Sequence, residues 1–152
     1  MSDPPLKISS DEIKTLETHI NSTIATGGEI RALLSKHSGK YPYDEAWEVS
    51  AAVQSLHVFA SRWTIEILAA LYITGPKRFN ELKGLLSGIS SRTLSDKLTL
   101  LTGEGLVIRK VDEGPPIRVQ YILSEHGLLC GRLLSPLVAH MKMHTGVVVS
   151  EE

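Results

Sequence analysis

Hydrophobic residues recur at helical spacing in the N-terminal third of the chain. The series begins after a hydroxyl-rich start at residues 9–11 that can cap a helix, and it consists of Ile13, Leu16, Ile20 and Ile24. Gly27-Gly28 interrupts it before Ile30, Leu33 and Leu34 resume the pattern. We predict one helix broken near the glycines, or two helices, after a disordered start over residues 1–10. The segment is either an appended helix packed on its own domain or a dimer arm.

The pattern continues with two further helices in the middle of the chain. One is expected from Asp44 to about Ala60. Ser61 can cap the next, which Gly75-Pro76 ends. The apolar face of this second helix, expected to lie in the core, comprises Trp63, Ile67, Leu68 and Leu71.

A strand stub, two shorter helices and a pair of β-rich runs follow. The stub covers residues 77–79, Asn80 can cap a two-turn helix, and Ser90 can cap a helix that Gly103 closes. The β-rich runs, 106–111 and 117–123, flank a Gly-Pro-Pro turn and predict an antiparallel hairpin.

Ser124 can cap a long final helix, which we expect Pro136 to bend. Helices followed by a hairpin predict a mainly α fold with a small β-hairpin wing (α+β), a winged helix-turn-helix with extra terminal helices. We expect an N-terminal extension over 1–43, the winged domain over 44–123, and a C-terminal dimerisation helix and tail over 124–152.

The helix that Ser90 caps has two chemically different faces. At 100° per residue, Leu94, Leu98 and Leu101 share the side expected to face the core. Arginine can bond guanine edges in pairs, and hydroxyls can donate or accept at several bases, so the opposite side suits base reading in the major groove. Asp96 can accept from cytosine or orient Arg92. The predicted contacts from this helix are Ser90, Ser91, Arg92, Thr93, Ser95, Asp96, Lys97 and Thr99.

Two further basic elements lie close to this helix in the sequence. Arg118 follows the stiff Pro-Pro turn of the hairpin and can reach a minor groove or its phosphates. Lys77 and Arg78 are candidate phosphate clamps. Residues 61–123 hold nine Lys and Arg against six Asp and Glu, whereas the whole chain has a net charge of −1. This local excess supports a nucleic-acid partner only weakly.

The span from about Val49 to Cys130 resembles the HxlR family of winged-helix regulators, which are related to MarR-like proteins. The matching strings are Arg62-Trp63, Ile67-Leu68, GPKRFNEL at 75–82, GIS at 88–90, Leu94, Lys97-Leu98, GLV at 105–107 and PIRVQYILSEHG at 116–127. The resemblance implies a homodimer built through terminal helices that binds a pseudo-palindromic operator. It also implies a recognition helix over Ser90–Thr99 and a wing residue at Arg118.

One departure from the family pattern concerns redox sensing. Many members carry a sensing cysteine some fourteen residues before the Trp, and here that position is Val49, which has no thiolate. Cys130 is expected to be a buried small hydrophobe in the final helix. The sequence does not identify an effector.

The long final helix is more apolar than one small domain can cover, which favours a homodimer. The expected interface residues are Leu128, Leu129, Leu133, Leu137 and Met141. Two histidines, His140 and His144, are too few for a metal site, and no catalytic motif or cofactor fingerprint is present, so we predict neither an enzyme nor a cofactor.

No signal peptide or apolar membrane span is recognisable, so we expect a cytoplasmic protein without membrane contact. The leading hypothesis is therefore a sequence-specific regulator that binds double-stranded DNA as a homodimer. The alternatives are a winged helix used for protein contacts and an architectural DNA binder without sequence preference.

Overall fold

The computed structural model describes residues 3–152. Two compact units are distinguishable. One runs from Ala51 to Arg132, and the other comprises the remaining described residues, up to Ser50 and from Leu133 onward.

The first unit contains the predicted order of helices and hairpin. A single 3-10 turn over His57–Ala60 precedes α3 (Thr64–Thr74), α4 (Phe79–Leu85) and α5 (Ser91–Gly103). Strands β2 (Val107–Asp112) and β3 (Arg118–Leu123) then form an antiparallel hairpin in which Val107 pairs with Leu123 and Asp112 with Arg118. The predicted strand stub is an isolated bridge, since Lys77 and Tyr121 exchange backbone hydrogen bonds of 3.0 and 2.7 Å.

One apolar cluster holds this unit together. Leucines and isoleucines from α3, α4, α5 and the hairpin contribute to it, and its members are Ile67, Leu71, Leu82, Leu86, Ile89, Leu94, Leu98, Leu101, Leu106, Val107 and Leu123. Ile89 is buried and fills the core at the turn between α4 and α5. Gly88 precedes it with a φ of 87°, a conformation that only glycine adopts without strain.

Helix α6 (Glu125–His144) begins in this unit against the hairpin. Ser124 caps it as expected, because its hydroxyl accepts the Gly127 amide hydrogen at 3.0 Å. A Cβ atom at Gly127 would overlap the Leu106 carbonyl oxygen, so this position requires glycine. Cys130 is half-buried against the apolar cluster.

The second unit contains helix α1 (Ser10–Ser35) and a pair of terminal strands. Helix α1 runs without interruption through Gly27-Gly28, so the predicted break is absent. Ser9 caps it by accepting the Glu12 amide hydrogen at 3.2 Å. In return the Glu12 carboxylate accepts from the Ser9 amide at 2.9 Å and from the Ser9 hydroxyl at 3.0 Å. These two bonds from Ser9 hold the pKa of the exposed Glu12 carboxyl below its usual range.

The expectation of a disordered start is wrong for residues 6–8. Strand β1 (Leu6–Ile8) pairs in parallel with β4 (Val148–Ser150) near the other end of the chain. The Leu6 amide donates to Val147 at 2.8 Å, and the Glu151 amide donates to Ile8 at 2.9 Å. The remaining predictions for residues 1–2 lie outside the described residues.

Several predicted helix boundaries also differ from the structure. Helix α2 (Glu45–Ser55) ends five residues before Ala60. Helix α3 starts at Thr64 behind Trp63 rather than behind Ser61, and α4 starts at Phe79, one residue before its expected cap Asn80. Helix α5 ends with Gly103 as its last residue, and Glu104 occupies the C-terminal cap position.

Candidate nucleic-acid interface

Helix α5 presents the two faces that its sequence predicts. Leu94, Leu98 and Leu101 are at most 1% exposed, which confirms that this side faces the core. Arg92, Ser95, Asp96 and Thr99 are all exposed on the other side. Within residues 3–152, no ion pair joins Arg92 to Asp96, so the arginine is not held by its neighbour one turn away. The exposed face therefore combines a guanidinium, a carboxylate and two hydroxyls without internal salt bridges.

The start of α5 is fixed by its own hydroxyls. The Thr93 amide donates to the Ser90 side chain at 3.1 Å, and the two hydroxyls are 2.9 Å apart. Ser90 and Ser91 are exposed, whereas Thr93 is half-buried. Because Ser90 serves as the cap, its side chain stabilises the helix in addition to any contact with a ligand.

Lys97 has an internal partner that the sequence did not reveal. Its ammonium donates a hydrogen bond to the Ser61 hydroxyl, and the residue is half-buried. Ser61, expected to cap α3, instead joins the segment before α3 to the middle of α5. This bond holds the Lys97 ammonium at the flank of the exposed face, beside Ser61, the residue that precedes Arg62 in the sequence.

Arg62 is a candidate contact that the sequence reasoning missed. Its guanidinium carbon lies 4.9 Å from the centre of the Trp63 ring, in cation–π geometry, and the residue is exposed. Trp63 has a φ of 73°, a strained value for a bulky side chain, and such strain is found preferentially at functional sites. The sequence signal that could have identified this contact is the arginine directly before Trp63. The tryptophan alone indicates only a core position.

The hairpin carries more basic residues than Arg118 alone. Arg118 pairs in register with Asp112 close to the turn, and both are exposed. Lys110, two residues earlier on β2, shares their face because strand side chains alternate. Arg109 is also exposed, on the other face of the strand. Lys110 and Arg109 were not among the predicted contacts, although both are visible in the β2 sequence.

The two residues predicted as phosphate clamps differ in how accessible their charged groups are. The Lys77 ammonium lies 3.3 Å from the carbonyl oxygens of both Thr74 and Pro76, and the residue is half-buried. Arg78 is exposed at the N-terminal cap of α4, where its amide donates to Glu81 at 3.0 Å. Arg78 is thus the more accessible cation of the two.

The apolar face of α6 is open in the single chain. The predicted interface leucines and Met141 are all exposed, from 37% at Leu128 to 72% at Leu133. An apolar face of this kind on one helix is typical of a surface that associates with another chain.

Other candidate chemistry is sparse in the described part of the chain. The rings of His140 and His144 stack with their centres 6.1 Å apart. Among residues 3–152, no group of three or more His, Cys, Asp or Glu residues is placed to hold a metal ion. None of the described helices is long and apolar enough to cross a membrane.

Comparison with known proteins agrees with this geometry. The model of the HxlR-like helix-turn-helix family matches residues 58–151. The HTH-type transcriptional regulator YybR of Bacillus subtilis (strain 168), itself uncharacterized, is 35% identical over 109 residues, which cover 72% of this chain and 81% of YybR.

Solved structures share the fold. A structure from Enterococcus faecalis V583 assigned to the MarR family of transcriptional regulators is 29% identical, with a TM-score of 0.57. The match covers 71% of this chain and 94% of that one. A structure from Thermoplasma volcanium GSS1 assigned to the HxlR family is 27% identical with a TM-score of 0.51, covering 59% of this chain and 80% of that one. With a winged helix-turn-helix whose helix α5 turns a polar face outward, and with the family model matched over 58–151, the chain belongs to the HxlR-like helix-turn-helix family of transcriptional regulators.

Proposed function

We propose that the chain binds a specific double-stranded DNA operator as a homodimer and thereby regulates transcription in the cytoplasm. The observation that carries this proposal is the division of α5 into a buried leucine side and an exposed polar side. A helix of this kind fits the major groove, where each base pair presents a distinct pattern of donors and acceptors. The β2–β3 hairpin then lies at the adjacent minor groove or backbone.

In this proposal, base reading belongs to the exposed face of α5. Arg92 pairs with a guanine edge, and Ser95 and Thr99 bond neighbouring bases. Asp96 accepts from a cytosine amino group, since it forms no ion pair with Arg92 in the described chain. The contacts that position the protein on phosphates are assigned to Lys77, Arg78, Ser90, Ser91, Thr93, Lys97 and Arg118.

The dimer is assigned to the exposed face of α6, through Leu128, Leu129, Leu133, Leu137 and Met141. A two-fold dimer presents two copies of α5 separated by about one turn of DNA, about 34–36 Å, or by a multiple of it. In the sequence, the N-terminal extension over 1–43 and the dimerisation helix and tail over 124–152 flank the winged domain. The position of the usual family thiol is Val49, so a signal sensed there does not act through a thiolate.

The proposal is tested by selecting bound oligonucleotides from a random pool and then titrating the selected site. Arg92→Ala is expected to weaken binding to that site by about 1–3 kcal/mol for each base contact, roughly 5- to 150-fold, and to relax the preference at one base pair of each half-site. Lys14→Ala is the matched control, because it also removes one exposed positive charge but lies on α1.

Two results would count against the proposal. If the pool yields no enriched sequence, the winged helix serves contacts other than specific DNA binding. If Arg92→Ala weakens binding to every sequence equally, Arg92 binds phosphate rather than a base.

A further inference from the structure

Helix α1 carries one apolar stripe that the chain covers only at its beginning. Ile13, Leu16 and Ile20 are half-buried where the helix starts beside β4, and the Ser10 and Ser150 hydroxyls lie 3.1 Å apart there. The same stripe continues beyond this contact. Ile24, Ile30 and Leu34 are 65%, 57% and 66% exposed.

The apolar residues of the stripe are spaced symmetrically about Gly27 along the helix. Ile24 and Ile30 lie three residues to either side of Gly27, and Ile20 and Leu34 lie seven residues to either side. Spacings of three and seven keep all five positions on one face of a helix. A second α1 that runs antiparallel about a two-fold axis at Gly27 would therefore place Ile24 against Ile30 of the other copy, and Ile20 against Leu34. Such self-complementarity is what a two-fold interface requires.

Gly27 is not explained by packing within the chain. Glycine in the interior of a helix is unfavourable relative to alanine, yet α1 is continuous there. A Cβ atom at Gly27 would meet no other atom within 4 Å, so nothing in the described chain requires its absence. A small residue at the point where a second helix crosses would let the two backbones approach closely.

The charges of α1 also favour an antiparallel neighbour. Its first half holds Asp11, Glu12 and Glu17 against Lys14, whereas its last part, with its C-cap, holds Arg31 and Lys36 against Glu29. In an antiparallel pair centred on Gly27, Lys36 of one copy lies level with position 18 of the other, next to Glu17, which is favourable electrostatically. Parallel helices would place like charges together.

The length of α1 fits this overlap. The overlap from Ile20 to Leu34 is about 21 Å long at 1.5 Å per residue. The second helix would end, at Ser35, beside Ile20, which is the last half-buried residue of α1. The stripe is thus covered along its whole length, partly by the chain itself and partly by its copy.

We propose that α1 pairs antiparallel with α1 of a second copy of this chain, with the crossing point at Gly27. This inference rests on the proposed homodimer and adds to it a contact outside the family-matched residues 58–151.

Disulfide trapping tests the pairing and its register. In a Cys130→Ser background, the chain with both Ile24→Cys and Ile30→Cys is expected to form a covalent dimer on mild oxidation. A chain with only one of these two substitutions is not expected to form a covalent dimer, because residue 24 of one copy lies within disulfide reach of residue 30 of the other and not of its own counterpart. A chain with Ala25→Cys and Ala32→Cys is the matched control, since both positions lie on the opposite face of α1.

The dissociation constant of the noncovalent dimer provides a second test of the α1 pairing. Gly27→Leu is expected to raise the dissociation constant of the dimer about tenfold or more, because the new side chain must push the helices apart. Ala25→Leu, an equally exposed substitution in the same helix, is expected to leave the constant unchanged. Analytical ultracentrifugation provides both values.

The outcomes separate this inference from the proposed function. Equal cross-linking of the single and double variants, or no cross-linking in a chain that still dimerises and binds its operator, overturns the α1 pairing alone. A monomeric chain that still binds the operator also overturns it. If the unmodified chain enriches no DNA sequence while the double variant alone cross-links, the pairing stands and the DNA-binding proposal fails.

Discussion

Replacing Leu98 with alanine is expected to destabilise the chain far more than the same change at Leu100, two residues away on α5. Leu98 is 1% exposed within the apolar cluster, so its truncation loses transfer free energy and leaves a cavity, together about 3–5 kcal/mol. Leu100 is already 41% exposed. Its truncation is expected to cost less than about 1 kcal/mol, partly offset by the higher helix propensity of alanine.

Urea unfolding followed by circular dichroism gives the magnitude directly. A protein of this size has a free energy of unfolding of about 5–15 kcal/mol, so Leu98→Ala removes a large fraction of it. With a slope of about 2 kcal/mol per molar urea, the midpoint should fall by roughly 1.5–2.5 M for Leu98→Ala and by less than about 0.5 M for Leu100→Ala. All chains are compared at one protein concentration, because self-association contributes to the measured stability.

The comparison tests the orientation of α5. If the two substitutions cost the same, or if Leu100→Ala costs more, then the leucine side does not face the core. The polar residues Arg92, Ser95 and Thr99 would in that case not point outward together, and the basis for a DNA-reading face would be lost.

Three further predictions concern the wing, the start of α6 and the start of α1. Arg118→Ala should weaken binding to all DNA sequences alike and lower the slope of log affinity against log salt by about 0.9 for each phosphate that the arginine neutralises, measured by titration at several salt concentrations; an unchanged slope contradicts a phosphate contact. Gly127→Ala should lower stability by about 1–3 kcal/mol in thermal unfolding, because its methyl group overlaps the Leu106 carbonyl oxygen, whereas an unchanged melting temperature contradicts this close packing. Since Ser9 lowers the pKa of folded Glu12, this carboxylate stabilises the chain above its unfolded pKa and the effect is lost as pH falls through the folded pKa. The Glu12→Gln chain should therefore lack that acid-dependent part of the stability profile, and identical profiles for the two chains would contradict it.

Local patterns in the sequence predicted the elements that carry the candidate site. The leucine spacing at 94, 98 and 101 indicated which side of α5 is buried, because a single helix face must supply its part of the core. Ser90 was recognisable as a cap from its position before that series. The two β-rich runs around a proline turn likewise indicated the hairpin, with end residues that shifted by one position.

Features that depend on distant residues were not predictable in this way. The pairing of Leu6–Ile8 with Val148–Ser150 joins opposite ends of the chain, and although the three valines at 147–149 favour a strand, no local pattern indicates its partner. Ser61 has the composition of a cap but bonds Lys97, which lies 36 residues later. The glycines of α1 indicated a break, yet the neighbouring turns hold the helix together.

The central claim is that α5 of each copy lies in the major groove of one operator. Affinity cleavage tests it most directly, with a cutting reagent attached to Ser91→Cys at the exposed start of α5 in a Cys130→Ser chain. We expect two clusters of cleavage on the selected operator, related by its pseudo-two-fold symmetry and centred about one helical turn, about 34–36 Å, or a multiple of it apart. Cleavage spread evenly along the DNA, or two clusters on opposite sides of the duplex, would contradict the account.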